Sequence, residues 1–419
     1  MQSKLSRLGL FLFLSVSVFG LEFTDYDSGR ELSWDKLYPQ GRIFPYSGFS
    51  PADVASNREA GFTLAGPSYG KGIEKLQEDC LASGIPFIYS LQPTVDGQLI
   101  TMELLNSKEY QPDWAKIREA VTLQVKAAAE KYPQLAWWNI RPEELRYWRV
   151  KEYQYLQEVY QAIRTADPQK RPVWMYIPNH YSLEALKKYT AHMDIVGKGM
   201  YVNYSNQCLN RIWVRWSSEN QISALAGNTL GKFSICVPEM FQDPPDGKRE
   251  RIEARVRHDV YLALANGCRG VVIYSLAKRK NFSPEAHQTY FAAYKRIAKE
   301  LTGETGLGQI FLFGERRQDL EGRVAPGSAM LTIQPIPGQQ QEFSYTAAYM
   351  AEFLYRKARY LVLVNSAETE TGYDLSGIPS DTILIDVFSA QPVPVNAEGT
   401  LHLTLSPLEV RMLKLEPRQ

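Results

Sequence analysis

Between residue 42 and about residue 300 the sequence repeats one unit eight times: a short β-type run, a loop, then an amphipathic helical stretch. The runs begin near Arg42 (RIFPYSGF), Phe62 (FTLAG), Ile85 (IPFIYSL), Gln134 (QLAWWNI), Arg171 (RPVWMYI), Asp194 (DIVGKGMYV), Phe233 (FSICVPE) and Gly270 (GVVIYSL). Near-continuous apolar runs are those of strands covered on both faces, and a helix between successive strands is the crossover that a parallel pair requires. Eight such units predict an α/β chain with a closed (β/α)8 TIM barrel rather than an open sheet. The helical spacing agrees, with Trp114, Ile117, Val121 and Val125 on one face before the fourth strand and Leu156, Val159, Tyr160 and Ile163 on one face after it. Ser50-Pro51 and Ser283-Pro284 read as N-cap and first-turn pairs opening the first and last helices.

After about Thr305 the period changes to two, in AMLTIQPI, AAYMAEFLYR, RYLVLVNSA, DTILIDVFS, TLHLTLS and EVRMLKLE, separated by Gly, Pro, Asn and Ser. This predicts a small antiparallel β-sandwich over 306–419 behind a barrel over 21–305, with no low-complexity linker between them. Ahead of both, Lys4 and Arg7 precede an apolar stretch from Leu8 to Phe19 and then Gly20, the order of a secretory signal peptide over 1–20. The stretch is shorter than the ~20 residues that span a bilayer. A secreted or periplasmic protein with no membrane span after cleavage is expected.

Charge and metal-ligating residues narrow the chemistry. The 419 residues hold 47 Lys+Arg and 46 Asp+Glu, a formal charge of +1, which leaves no basic footprint for nucleic acid. Cys80, Cys208, Cys236 and Cys268 show no C-x-x-C spacing; their even number in an exported chain permits disulfides without requiring them, with Cys236 and Cys268 in apolar or helical runs that suit small buried thiols, and the five histidines form no H-E-x-x-H or H-x-H motif. No metal and no cofactor are expected. The glycine-containing stretch 66–72 lacks the spacing of a phosphate loop, and Asn203-Tyr-Ser205 and Asn281-Phe-Ser283 match the N-glycosylation pattern.

Catalytic groups of a β/α barrel sit where its strands end. The residues there are Tyr46, Ser68, Tyr69, Gln92, Arg141, Glu143, Glu144, Asn179, His180, Tyr201, Asn203, Glu239, Tyr274 and Lys278. The fourth run ends in Arg141-Pro142-Glu143-Glu144 and the seventh in Val237-Pro238-Glu239, so a Pro-Glu step puts a carboxylate at the mouth twice. Two carboxylates flanking one bond are what glycoside cleavage needs: one protonates the leaving oxygen, the other attacks or activates water. A carboxyl separation of about 5–5.5 Å gives retention and roughly 6.5–9.5 Å inversion. Retention is expected. Glu143 is the expected acid/base, with Glu144 able to take its place, and Glu239 the nucleophile or base at a solvent-open mouth.

With these motifs the chain resembles clan A glycoside hydrolases, whose barrels carry the acid/base after strand four and the nucleophile after strand seven, often with a β-sandwich behind. The resemblance covers the whole mature chain, including the ending LTLSPLEVRMLKLE. One departure is that Asn139 stands four residues before Glu143, where the family pattern has Asn directly before it. The substrate this implies is an oligo- or polysaccharide. The 8 Trp and 25 Tyr fit, since sugar rings stack on aromatic faces; Trp138, Tyr176, Tyr201 and Tyr274 lie on or just beyond strands, while Trp137, Trp174, Trp213 and Trp216 can simply pack between helix and barrel. Asn179, His180 and Asn203 complete the candidate binding set. Arg141, Lys198 and Lys278 near strand ends suggest an acidic or sulfated glycan, or cations that tune the glutamates. The rival reading is a non-catalytic carbohydrate-binding protein on the same scaffold. A second rival keeps catalysis with one carboxylate, by substrate assistance.

Overall fold

The computed structural model describes residues 44–418 apart from 50–52, 71, 227–231, 327, 329 and 337. The expected signal peptide and the Ser50-Pro51 pair lie outside the described residues. The first described helix is opened instead by Asp53, whose carboxylate accepts the amides of Ala55 and Ser56. Ser283 caps the last helix of the repeats as its sequence suggests, accepting the Ala286 amide with Pro284 in the first turn.

The parallel pairings follow chain order and return to their start. Tyr46–Gly48 is joined by the Leu64 amide to the Tyr46 carbonyl, Ala65 bridges to Phe87, and Phe87–Leu91 pairs with Leu135–Ile140. Trp138 then pairs with Val173, Trp174 with Ile195, Ile195 with Phe233 and Cys236 with Val271. Val271 pairs back to Tyr46, closing a parallel ring of eight segments. The helices are α1 (Val54–Glu59), α2 (Gly72–Ser83), α3 (Met102–Asn106), α4 (Trp114–Lys131), α5 (Val150–Ala166), α6 (Leu183–Tyr189), α7 (Trp213–Leu225), α8 (Ile252–Asn266) and α9 (Pro284–Thr302). Of the apolar faces expected on α4 and α5, Ile117, Val121, Val125, Leu156, Val159 and Ile163 are buried against the outside of the ring, and Trp114 and Tyr160 are half-buried against the same cluster.

A sixth-strand glycine shows how the ring accommodates its own interior. A Cβ on Gly199 would lie 2.5 Å from the Tyr176 hydroxyl and 2.8 Å from the Tyr201 ring, so only glycine lets both tyrosines lean over that strand. The fourth strand carries an irregularity against its neighbour: Phe87 faces Leu135 but Ile88 faces Trp137, so one residue is skipped. Such a bulge exchanges the inward and outward faces of the residues beyond it.

Beyond the ring the first element is a short helix, α10 (Gly308–Phe313), and antiparallel strands come after it. Six form one sheet, in the order 315–317, 348–355, 358–365, 410–417, 382–386 and 392–393; three form another, 321–324, 371–376 and 401–405. Leu361, Leu363 and Leu413 of the first sheet and Leu375, Leu403 and Leu405 of the second share one buried cluster, so the sheets lie face to face. The other face of the larger sheet is fused to the ring: Phe353, Val362, Val364 and Met412 belong to the same apolar cluster as α8 and α10. Every residue of α8 from Val260 to Asn266 is buried.

Candidate functional site

The end of the fourth strand is built around Glu143. Its Oε2 accepts a hydrogen bond of 2.8 Å from the Tyr69 hydroxyl and lies 3.8 Å from the Arg141 guanidinium, which itself sits 3.9 Å over the Tyr69 ring. Half-buried there, the Glu143 carboxyl is pushed above its ordinary pKa by desolvation, against the opposing pull of Arg141 and Tyr69. Pro142 follows a cis peptide bond, and the Arg141 carbonyl is pinned by the Tyr155 hydroxyl at 2.6 Å. Glu144 is exposed, in the left-handed region at φ +59°, with its amide bonded to the Tyr176 carbonyl. Desolvation and the Glu143 charge raise its carboxyl, Arg146 lowering it.

The end of the seventh strand is different. Glu239 is only 4% exposed, and both its oxygens accept backbone amides of the loop after the sixth strand, from Asn203 at 2.5 Å and Tyr204 at 3.1 Å. Burial raises it to about 7 although Arg211 and those two amides favour its charged form. The expectation of a solvent-open carboxylate at this position is therefore corrected: the loop folds over it. Asn203 is not a free binding group either. Its side chain receives Arg211 Nη1 at 3.1 Å and donates to the Tyr290 hydroxyl at 2.9 Å. Arg211 bonds Asp259 through Nε at 2.8 Å, and His258 joins Asp259 at 2.9 Å to Ser366 of the C-terminal part at 2.8 Å. A buried hydrogen-bonded line thus runs from Glu239 to the end of strand 358–365 in the larger C-terminal sheet.

Between the two ends lie three tyrosines in near-parallel planes. Tyr176 and Tyr201 are 5.8 Å apart at 11°, Tyr176 and Tyr274 6.0 Å at 17°, and Tyr201 and Tyr274 5.4 Å at 23°. Glu143 is close enough for its charge to act on the phenols of Tyr176 and Tyr201, and Glu239 bridges backbone to Tyr274. Phe49 closes the group from below, 4.9 Å from Tyr274 and 5.4 Å from Tyr69.

Other expected site residues are placed elsewhere. Trp138 is fully buried among α4 and α5 residues and donates to Asp167 at 2.9 Å, outside the ring; Trp137 points inward, 5.8 Å from Phe233 of the seventh strand. The bulge beside it is the cause. Lys198 is also outside the ring and fully buried, its ammonium 2.8 Å from the Tyr181 carbonyl and 3.8 Å over the Trp216 ring, and desolvation holds it well below its ordinary pKa. It stands one residue out of phase with inward-facing Gly197 and Gly199 and so cannot reach a ligand at the mouth. Asn179 ties its loop to the next through Ser205 at 2.6 Å, His180 is exposed beside it, and Lys278 is exposed on the eighth loop. Among the described residues no group of His, Cys, Asp or Glu could hold a metal, and no helix is long and apolar enough to cross a membrane. All four cysteines are free and buried.

Reasoning from sequence missed the support around the carboxylates: Arg211, Asp259 and the Asn203 and Tyr204 amides. It also missed exposed Trp148, although RYWR follows the two glutamates after only Leu145. A cavity of about 1270 Å³ lies away from the strand ends, between α7 and the C-terminal strands. Its arginines are engaged internally, Arg215 with Glu219 and Arg316 with the Tyr349 hydroxyl, so the chemistry is read at the mouth rather than there.

No protein-family model matches the sequence, and no curated protein matches it. Among solved structures the chain is similar to an α-amylase from Geobacillus thermoleovorans complexed with acarbose, at 10% identity and TM-score 0.52 over 90% of this chain and 99% of that one. It is similar to an Anoxybacillus α-amylase at 11% identity and TM-score 0.51, over 87% and 89% of the two chains. A variant of AmyP in complex with maltotriose matches at 9% identity and TM-score 0.51, over 94% and 100%. At such identities the likeness is one of fold, and it covers nearly the whole chain.

Proposed function

We propose that this protein is a glycoside hydrolase cleaving O-glycosidic bonds of an oligo- or polysaccharide, with Glu143 as general acid/base and Glu239 as its partner carboxylate. In this reading the parallel ring is a (β/α)8 TIM barrel within residues 21–305, the antiparallel part is a β-sandwich within 306–419, and residues 1–20 direct export and are then removed. The observation that carries it is the setting of Glu143: a desolvated carboxyl at a strand end, hydrogen-bonded to Tyr69 and beside three parallel tyrosine rings. A general acid must hold its proton near neutral pH, which partial burial favours. Flat phenol faces suit the C–H faces of sugars.

The steps follow from the groups present. Glu143 gives its proton to the glycosidic oxygen, and Tyr69 and Arg141 then stabilise the carboxylate left behind. Glu239, raised to about 7, is partly ionised at neutral pH. Each of its oxygens accepts one amide and so keeps a lone pair for the anomeric carbon. Attack by Glu239 on the anomeric carbon expels the leaving group protonated by Glu143 and forms a glycosyl ester with inversion; water deprotonated by the Glu143 carboxylate then displaces Glu239 with a second inversion, so configuration is retained overall. A neutral glycan is the simpler substrate, since Lys198 is withdrawn into the wall and Arg141 faces Glu143. An acidic or sulfated glycan would reveal itself by binding that weakens as salt rises.

The test is release of reducing ends from a panel of soluble polysaccharides. Glu143→Gln is expected to lower it by ~10²–10⁴-fold. Undiminished release in that variant removes Glu143 from the chemistry. Binding without any release by the wild-type protein would leave a carbohydrate-binding protein.

A further inference from the structure

We infer that the rim carries two sugar-stacking platforms, Trp148 braced by buried Tyr181 next to Glu144 and Tyr204 braced by half-buried Phe241 next to Glu239, so that the substrate is a chain lying on both and cut internally. This rests on the reading of the mouth as a glycoside-cleaving site and adds the substrate's length and the position of the cut.

The first platform stands out by its exposure. Trp137, Trp138, Trp174, Trp213 and Trp216 are at most 1% exposed, whereas Trp148 is 54% exposed and neighbouring Val150 80%. Leaving so much aromatic surface in water forgoes the stabilisation that burial would return. The side chain is nevertheless held in place. Its ring meets Tyr147 edge-on at 5.0 Å and Tyr181 at 5.8 Å, and the loop beneath is tied by the Tyr189 hydroxyl, which receives the Tyr147 amide and donates to the Leu145 carbonyl at 2.6 Å. Tyr181 is near enough to Glu144 for that charge to act on its phenol, which connects the platform to the carboxylates.

The second platform is Tyr204, 65% exposed. Its own amide donates to Glu239, and its ring stands edge-on to Phe241 at 5.7 Å and to Tyr201 at 6.4 Å. One platform therefore belongs to the loops after strands four and five, the other to those after six and seven, and the stacked tyrosines lie between them. A single sugar needs only that central floor. Rigid aromatic faces exposed beyond both carboxylates are of use to a ligand that continues in both directions.

Native electrophoresis through gels containing amylose, arabinoxylan, laminarin or galactomannan tests this. At least one polymer is expected to retard the wild-type protein. Trp148→Ala and Tyr204→Ala should each weaken that binding ~tenfold, and Leu123→Ala, which removes an equally exposed apolar side chain from α4, should not. Melting temperatures establish that the variants fold. With the hexasaccharide and the disaccharide of the retarding polymer, calorimetry should show the loss on the hexasaccharide and much less on the disaccharide. First products of wild-type digestion should be a ladder of oligomers. No retardation by any polymer, equal losses on both ligand lengths, or release of single terminal sugars alone would overturn the inference. Glu143→Gln separates the two readings: cleavage that persists in it removes the assigned acid, while the Trp148 and Tyr204 binding results stand independently.

Discussion

The fourth and seventh strands end in the same Pro-Glu step, yet the two carboxylates live in unlike surroundings. Glu143 is met by side chains, the Tyr69 hydroxyl and the Arg141 guanidinium, each of which can move aside as a proton leaves or a ligand enters. Glu239 is met by the backbone of the neighbouring loop, and that loop is fastened by Arg211 to Asp259 in the interior. Identical dipeptides thus yield one adjustable carboxyl and one built into the scaffold. Under the proposed function the first would transfer the proton and the second would be the carboxylate held in place by backbone.

The contrast is most exposed to failure at its buried ion pair. Asp259→Ala leaves Arg211 interior and uncompensated, and is expected to cost ~3–5 kcal/mol in a denaturant titration, whereas Arg141→Gln at the half-exposed strand-four end should cost less than ~1 kcal/mol. Similar losses would erase the distinction.

Next in size is a dependence on pH. Glu239 stands at about 7 in the folded chain against an ordinary 4.5, so the folded state binds this proton more tightly than the unfolded one. Its contribution is complete below about 4.5 and is lost as pH rises through 7. Between pH 5 and 8 the wild-type protein should lose up to ~3 kcal/mol relative to Glu239→Gln, and a parallel pair of stability curves would contradict the burial of this carboxyl.

Smallest is Tyr69→Phe. Removing the hydroxyl takes away a bond that favours ionised Glu143, so the alkaline limb of the pH–rate profile should move upward while stability changes by ~0.5–1.5 kcal/mol. An unmoved limb would mean that Tyr69 does not act on the proton.

Much of this arrangement can be read from residue order alone, and the parts that escape do so for identifiable reasons. The alternation of apolar runs with amphipathic helices carries the ring pairings, and the Pro-Glu steps mark both strand ends. Side-chain direction is less secure, because it depends on a parity that one skipped residue reverses. The irregularity near Ala136 turns Trp138 out and Trp137 in, and Lys198 falls on the outward phase set by Gly197 and Gly199. Long-range partners leave no local trace: Arg211 and Asp259 are 48 residues apart, His258 and Ser366 108. Trp148 is legible in the sequence as an aromatic but not as an exposed one, since periodicity says nothing about a loop.

Helix α8 faces the ring on one side and the larger C-terminal sheet on the other. A wall shared by two rooms cannot be kept when one room is removed. A chain ending near residue 305 would expose that helix's outer apolar face and leave His258 without Ser366, three steps behind the amide that grips Glu239. The C-terminal sheets are therefore a retaining structure for the mouth rather than an appendage that could be exchanged. Ring and sheets should melt as one cooperative unit.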